Sequence, residues 1–224
     1  VIALIDGDML CYRIGYGSET VGVKTAQNNM GSFINEIAED LNIEKAEMFL
    51  SGKTNFRNDV AVTAPYKGNR KGEKPRHHQM LRDYLIEKYE ATVSENQEAD
   101  DDIATRCTEL GDTSVIVSLD KDFDQVQGWH YNFVKKEKYY VTEEEGLLNF
   151  YCQFLEGDRI DNIVGVKGIG KVKARKLLEG KTETEMFDIC AEKLESEERA
   201  IENGRLLYLR REPDELWQPP SARG

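Results

Sequence analysis

Three apolar runs of strand length constrain this fold: VIALI at residues 1–5, AEMFL at 46–50 and TSVIVSL at 113–119. VIALI is apolar throughout, which fits a parallel strand buried on both faces. Between the runs the apolar spacing is helical. Phe33, Ile34, Ile37, Ala38 and Leu41 mark a helix over 30–41, Leu81, Tyr84, Leu85 and Lys88 one over 77–89, and Ala99, Ile103, Cys107 and Leu110 one over 99–110. Strands alternating with helices predict an α/β fold with a parallel sheet. Ligands of such sheets collect at the carboxyl ends of the strands. The first run ends in Asp6 and the third in Asp-Lys-Asp, with Asp120 and Asp122. A helix antiparallel to the strands begins at the same rim, so Glu98, Asp100 and Asp101 are expected there too.

Those acids belong to QEADDDIATRC, residues 97–107. Acidic side chains in a first turn are favoured by the helix dipole, and this alone accounts for a solvated N-terminus. Carboxylates so crowded also repel, and a cation among them is the other way to neutralise them. With Asp158 and Asp161 of GDRIDN added, the dispersed acids form an oxygen-only set without His or Cys, suited to Mg²⁺ or Mn²⁺ and not to zinc. Two such ions about 4 Å apart would activate water and stabilise the leaving oxygen of a phosphodiester.

The chain has 224 residues, 39% of them hydrophobic, enough for one α/β domain plus a small helical one. No apolar run approaches the roughly 20 residues of a membrane span, and the N-terminus lacks a signal-peptide pattern, which predicts a cytoplasmic protein and no membrane partner. Cys11, Cys107, Cys152 and Cys190 show no CxxC spacing and read as buried free thiols. The net charge of −12 argues against a nucleic-acid binder. Its distribution argues otherwise: Lys67, Arg70, Lys71, Lys74 and Arg76 form one local basic patch, and Lys167, Lys171, Lys173, Arg175 and Lys176 another.

Residues 51–75 read as a long irregular connection, the kind that often carries function. A short β segment over 129–141 precedes a capping box at Thr142 to Glu145, and Thr182 to Glu185 forms a second. From residue 142 the periodicity is helical, so we divide the chain into an α/β domain at 1–141, with the irregular basic segment near 60–80, and a helical domain at 142–224. ELWQPPSARG at the end reads as a surface tail. IVGVKGIGKVKARKLL, residues 163–178, reads as a helix-hairpin-helix, with glycines admitting phosphate to backbone N–H groups at the N-terminus of a basic helix.

IDGD, NFR followed by YKGNRKG, EADD, SLDKDFD, GDRIDN and GVKGIG occur here in one order. In this the chain resembles the flap endonuclease and 5′ nuclease family, particularly its phage-type 5′-to-3′ exonucleases. The resemblance implies a PIN-like nuclease domain followed by a helix-hairpin-helix domain, and hydrolysis of DNA from 5′ ends, flaps or junctions in replication or repair. It implies two Mg²⁺ or Mn²⁺ ions, the first at Asp6, Glu98 and Asp100 with Asp101 beside them, the second at Asp120, Asp122, Asp158 and Asp161, and K⁺ at the helix-hairpin-helix. Tyr66, Lys67 and Arg70 would belong to a gateway over the site, Lys67 and Arg70 contacting the scissile phosphate. Lys71, Lys167, Gly168, Gly170, Lys171 and Lys173 complete the expected DNA contacts. A monomer is implied, with a replication polymerase or single-strand-binding protein as partner, in the host cytoplasm for a phage-encoded chain.

One position departs from the family. An Asp is common just after the second strand, where this chain has Ser51-Gly52, and Asp59 is the next acid along. Two rival functions follow: a catalytically silent DNA-junction binder, and a related single-strand ribonuclease, against which the basic helix-hairpin-helix favours duplex DNA.

Overall fold

The computed structural model describes residues 1–43 and 45–220. In chain order the elements are β1 (Ile2–Asp6), α1 (Gly7–Gly17), α2 (Val23–Leu41), β2 (Lys45–Leu50), α3 (Arg57–Val60), α4 (His78–Tyr89), β3 (Thr92–Val93), α5 (Ala99–Leu110), β4 (Ser114–Val117), β5 (Gly128–Asn132), β6 (Glu137–Val141), α6 (Glu143–Glu156), β7 (Gly157–Asp158), β8 (Ile163–Val164), α7 (Lys171–Leu178), α8 (Glu183–Leu194) and α9 (Glu197–Leu207). They form two compact units. The first comprises residues 1–54, 72–123 and 128–140, the second 55–71, 124–127 and 141–224. The second unit thus takes in most of the irregular connection after β2, which the sequence alone groups with the α/β part.

The first unit is built on a six-stranded sheet of order β3-β2-β1-β4-β5-β6. β1 lies inside it, parallel to β2 with Ile5 opposite Met48, and parallel to β4 with Ile5 opposite Val117. Covered on both sides, Ala3, Leu4 and Ile5 are buried, as are Val115, Ile116 and Val117. Leu10, Met30, Ile34, Ile37, Leu81 and Leu85 from the helices close one face.

Two elements go beyond the sequence reading. Helix α1 follows β1 directly, although Gly7, Gly15 and Gly17 weaken its helical signal. Two of them are demanded by packing: a Cβ on Gly7 would stand 2.7 Å from the Phe49 carbonyl oxygen, and one on Gly15 2.7 Å from the Pro75 ring. β3 is only two residues long, too short for any periodicity to show. Helix α2 also begins earlier than expected, at Val23.

The second unit packs α6–α9 around Tyr151, Phe154, Leu155, Ala174, Cys190 and Leu194. Both expected capping boxes are present, at Thr142 and Thr182. The expected surface tail needs correction. Residues 221–224 lie outside the described residues, but Trp217 is only 5% exposed and meets Phe150, Phe154 and Phe187. Gly204 makes room for its indole, which a Cβ there would overlap. A ring this large gains more from burial than a terminal segment gains from freedom. The hairpin region also differs in detail: Ile163 and Val164 form β8, paired antiparallel with β7, and are not the end of a helix.

Candidate active site

Asp6 ends β1 and caps α1, its Oδ1 accepting the Met9 N–H at 3.0 Å. It is 5% exposed. Ser118, just past β4, donates its hydroxyl to Asp6 Oδ2 at 3.0 Å and accepts the Asp120 N–H at 3.1 Å, tying the two strand ends together. Burial pushes the Asp6 carboxyl up to about 7, with Asp8 and Asp120 adding to the rise and the Met9 and Ser118 hydrogen bonds opposing it. An anion here is short of compensating positive charge. Asp120 Oδ1 accepts the Asp122 N–H at 2.9 Å, which orients the Asp-Lys-Asp turn.

Glu98 and Asp101 form a capping box at the N-terminus of α5, the Glu98 N–H donating to Asp101 Oδ2 at 3.1 Å. Asp101 is fully buried. Asp100 is half-buried, while Asp102 accepts hydrogen bonds from Ser94 and Gln97. The start of α5 is held at the end of β2, because Ala99 donates its N–H to Ser51 Oγ at 3.0 Å.

Around Ser51-Gly52 the structure brings forward a residue the sequence reading passed over. Asp8, in the first turn of α1, accepts the Ser51 N–H at 2.7 Å and pairs with Arg82 of α4, which also donates to the Ser51 carbonyl at 2.7 Å. The signal for it was the second acid of the IDGD motif, two residues after Asp6 on the turn leaving the strand. Gly52 has no space for a side chain, since a Cβ would overlap the Ser94 carbonyl oxygen. Asp59 is exposed on α3, in the second unit.

In the second unit Asp158 is buried, its Oδ1 accepting the Ile160 and Asp161 N–H groups at 2.6 and 3.1 Å. Asp161 gathers the three residues expected at a gateway, Tyr66, Lys67 and Arg70. It accepts the Tyr66 hydroxyl at 2.8 Å and an Arg70 N–H at 2.9 Å, with Lys67 Nζ 3.7 Å away. Lys67 itself has φ 52, a left-handed backbone, and donates its N–H to the Asp161 carbonyl at 2.9 Å. Tyr66 is buried, whereas Arg70 and Lys71 are exposed.

Lys167, Gly168, Gly170, Lys171 and Lys173 are all exposed. Gly168 has φ 81, which suits glycine alone. Gly170 caps α7 without a side-chain hydrogen bond, its carbonyl accepting the Lys173 and Ala174 N–H groups, and a lysine stands on either side of Val172.

Among the described residues no three His, Cys, Asp or Glu side chains stand close enough together to hold a metal ion. Asp8 and Asp120 act electrostatically on Asp6, and hydrogen bonds orient the carboxylates of Asp6, Asp8, Asp101 and Asp120. Their donor chemistry, carboxylate and hydroxyl oxygen around a buried Asp6, fits a hard divalent cation. The cysteines do not compete: all four are buried and free, and burial pushes Cys11 up to about 12 and Cys152 up to about 11.

Comparison with known proteins bears on the same residues. Over residues 1–151 the chain matches the family described as 5′-3′ exonuclease, N-terminal resolvase-like domain. It is 32% identical over 209 residues to DNA polymerase I of Bacillus caldotenax, covering 79% of this chain and 23% of that protein. Against the flap endonuclease Xni of Shewanella piezotolerans it is 34% identical over 137 residues, covering 51% and 52%. The chain therefore spans from about a quarter to about half the length of these curated relatives. A zinc-bound T5 5′-exonuclease shares the fold with a TM-score of 0.72 at 20% identity, over 92% of this chain and 88% of that one. A bacteriophage T5 flap endonuclease in complex with DNA and metal ions aligns with a TM-score of 0.71 at 21% identity, over 93% and 89%. With a matching region that runs from the β1 aspartate through the capping-box helix to the Asp-Lys-Asp turn, the chain belongs to the 5′-3′ exonuclease family.

Proposed function

We propose that this chain is a divalent-metal-dependent nuclease that hydrolyses DNA phosphodiesters from 5′ ends or at flaps and junctions. One observation carries the reading: a buried Asp6 carboxylate, short of positive charge, beside Asp8 and Asp120 and bonded to Ser118. A pair of divalent ions would supply activated water and charge stabilisation at the leaving oxygen. Asp6, Glu98 and Asp100, with Asp101 beside them, would hold the first, and Asp120, Asp122, Asp158 and Asp161 the second, Mg²⁺ or Mn²⁺ in each case. Catalysis is assigned to Asp6, Asp100 and Asp120 as carboxylates and to Lys67 and Arg70 as cations on the scissile phosphate. Electrostatic donors fixed in advance stabilise developing charge without reorganisation.

Tyr66, Lys71, Lys167, Gly168, Gly170, Lys171 and Lys173 would bind the remaining DNA, the glycines by exposing backbone N–H groups to phosphate. K⁺ at the helix-hairpin-helix, a polymerase or single-strand-binding partner, a monomeric state, a domain division near residue 142 and a cytoplasmic setting complete the reading. No helix among the described residues is long and apolar enough to cross a membrane.

A silent junction binder is favoured by one observation: Ser51-Gly52 stands where the family resemblance leads one to expect an Asp, and Gly52 has no room for a side chain. Incubating the protein with a 5′-labelled flap and with single-stranded RNA, each with Mg²⁺ or EDTA, separates the readings. Mg²⁺-dependent release of the 5′ product from the flap supports the nuclease. Binding without release in Mg²⁺ and Mn²⁺ supports the silent binder, and preferential cleavage of the RNA supports the ribonuclease.

A further inference from the structure

Between α3 and the gateway cations the chain runs through residues 61–65 without regular structure, and Val62 is 86% exposed. Ala61 at its start packs against the apolar core, and the residues after it are held by polar contacts. Glu202, on α9, makes most of them: it accepts the N–H groups of Val62 and Thr63 on Oε1 at 2.6 and 2.7 Å, and the Thr63 hydroxyl on Oε2. An ionised carboxylate with three donors from two consecutive residues makes charge-assisted bonds that fix direction as well as position.

The neighbouring anchors lie on the same unit. The buried Arg57 donates to the Leu206 and Tyr208 carbonyls at 2.8 Å each, holding α3 to the end of α9. Asn162 donates to the Pro65 carbonyl at 2.9 Å, and the Lys67 N–H reaches the Asp161 carbonyl. Lys67 sits at the end of this series in a left-handed conformation that a non-glycine residue adopts only when its surroundings enforce it.

We propose that Glu202 is a positioning residue: it clamps the leading end of the gateway segment to α9, so that Lys67 and Arg70 are presented in one geometry. The proposal rests on the nuclease reading above for its effect on cleavage, but the clamp itself exists in the free protein. Small misplacements of catalytic groups are costly, a 1 Å error being worth about 10²-fold in rate. Glu202 touches neither cation, so its loss acts through backbone order alone.

The test uses the full chain and reads two quantities. Amide hydrogen exchange of the free protein is followed at Val62, Thr63 and Lys67. Single-turnover cleavage of a 5′ flap is measured at saturating enzyme, with flap affinity measured separately in Ca²⁺. Glu202→Ala is expected to speed exchange at these three amides at least tenfold, leave exchange across α6–α8 unchanged, and lower the cleavage rate roughly 10-fold or more with affinity within about threefold. Glu202→Gln, which retains an oxygen for the two N–H groups, is expected to restore most of both.

Unchanged exchange at Lys67 in Glu202→Ala overturns the proposal, as does a wild-type cleavage rate in a variant whose amides have loosened. Faster exchange throughout the helical unit assigns Glu202 to folding and overturns it equally. If the wild-type protein does not cleave at all, the nuclease reading fails instead, and the clamp then stands or falls on the Lys67 amide alone.

Discussion

At the scale of single residues the site depends on carboxylates whose spare hydrogen-bonding capacity is already partly spent. Asp120 accepts the Asp122 N–H and hangs from Ser118, so its carboxylate is oriented before any cation arrives. Asp120→Asn keeps the shape and removes the charge. It should abolish Mg²⁺-dependent flap cleavage while leaving flap affinity within a few-fold, because the proposed DNA contacts are lysines and N–H groups elsewhere; joint loss of both would instead indicate misfolding. Gly52 shows a different constraint. It packs against the Ser94 carbonyl with no room for a Cβ, so no side chain can be introduced there without displacing that backbone. Gly52→Ala should destabilise the protein by about 1–3 kcal/mol, the usual range for overpacking, as read from the urea midpoint. An unchanged midpoint would mean that the β2 exit relaxes freely.

Among the elements, α5 and β2 are joined at both ends. Ser51 takes the Ala99 N–H at one, and at the other Glu47 accepts Arg106 Nε at 2.8 Å and an Arg106 NH2 proton at 3.1 Å. The Arg106 bonds, with Lys45 assisting, lower the Glu47 carboxyl to about 2 from its ordinary 4.5. A depressed carboxyl pKa favours the folded state above the unfolded value, and that contribution disappears as pH falls from about 4.5 to about 2. Glu47→Gln should therefore be less stable than wild type at pH 7, with urea midpoints converging near pH 2. Parallel curves across that range would show that the pair contributes nothing, as many exposed ion pairs do. Helix α7 supplies a second test at this scale. Its lysines 171 and 173 are exposed at an N-terminus without a side-chain cap, and Lys171→Ala with Lys173→Ala should flatten the salt dependence of duplex binding by about one to two units of log–log slope. Equal slopes for variant and wild type would remove α7 from the DNA interface.

For the molecule as a whole, the net charge of −12 sets the terms on which it can meet DNA. On the proposed function, binding would require the acidic centre to be neutralised while the basic patches act locally. Ca²⁺ should therefore support flap binding without turnover and Mg²⁺ both, since the larger ion's looser and longer oxygen shell misplaces reacting groups. Full turnover in Ca²⁺ would contradict that account.

The core strands, the helix over 99–110, both capping boxes and the acids at the strand ends were legible in the sequence, because periodicity, cap chemistry and charge are local properties. Helix α1 was not, since Gly7 and Gly15 answer to neighbouring groups, the Phe49 carbonyl and the Pro75 ring, rather than to helix propensity. Trp217 was misread as part of a tail because the aromatic pocket that buries it is assembled from α6, α8 and α9. Arg82 and Glu202 look like ordinary surface charges in the sequence, and Asp8 is marked there only as the second acid of IDGD. Only tertiary structure sets Asp8 against the Ser51 N–H, brings Arg82 to it across α4, and delivers the Glu202 carboxylate to Val62 and Thr63. The sequence determined which groups could carry chemistry; folding decided which of them meet, because a hydrogen bond depends on distance in space and not along the chain.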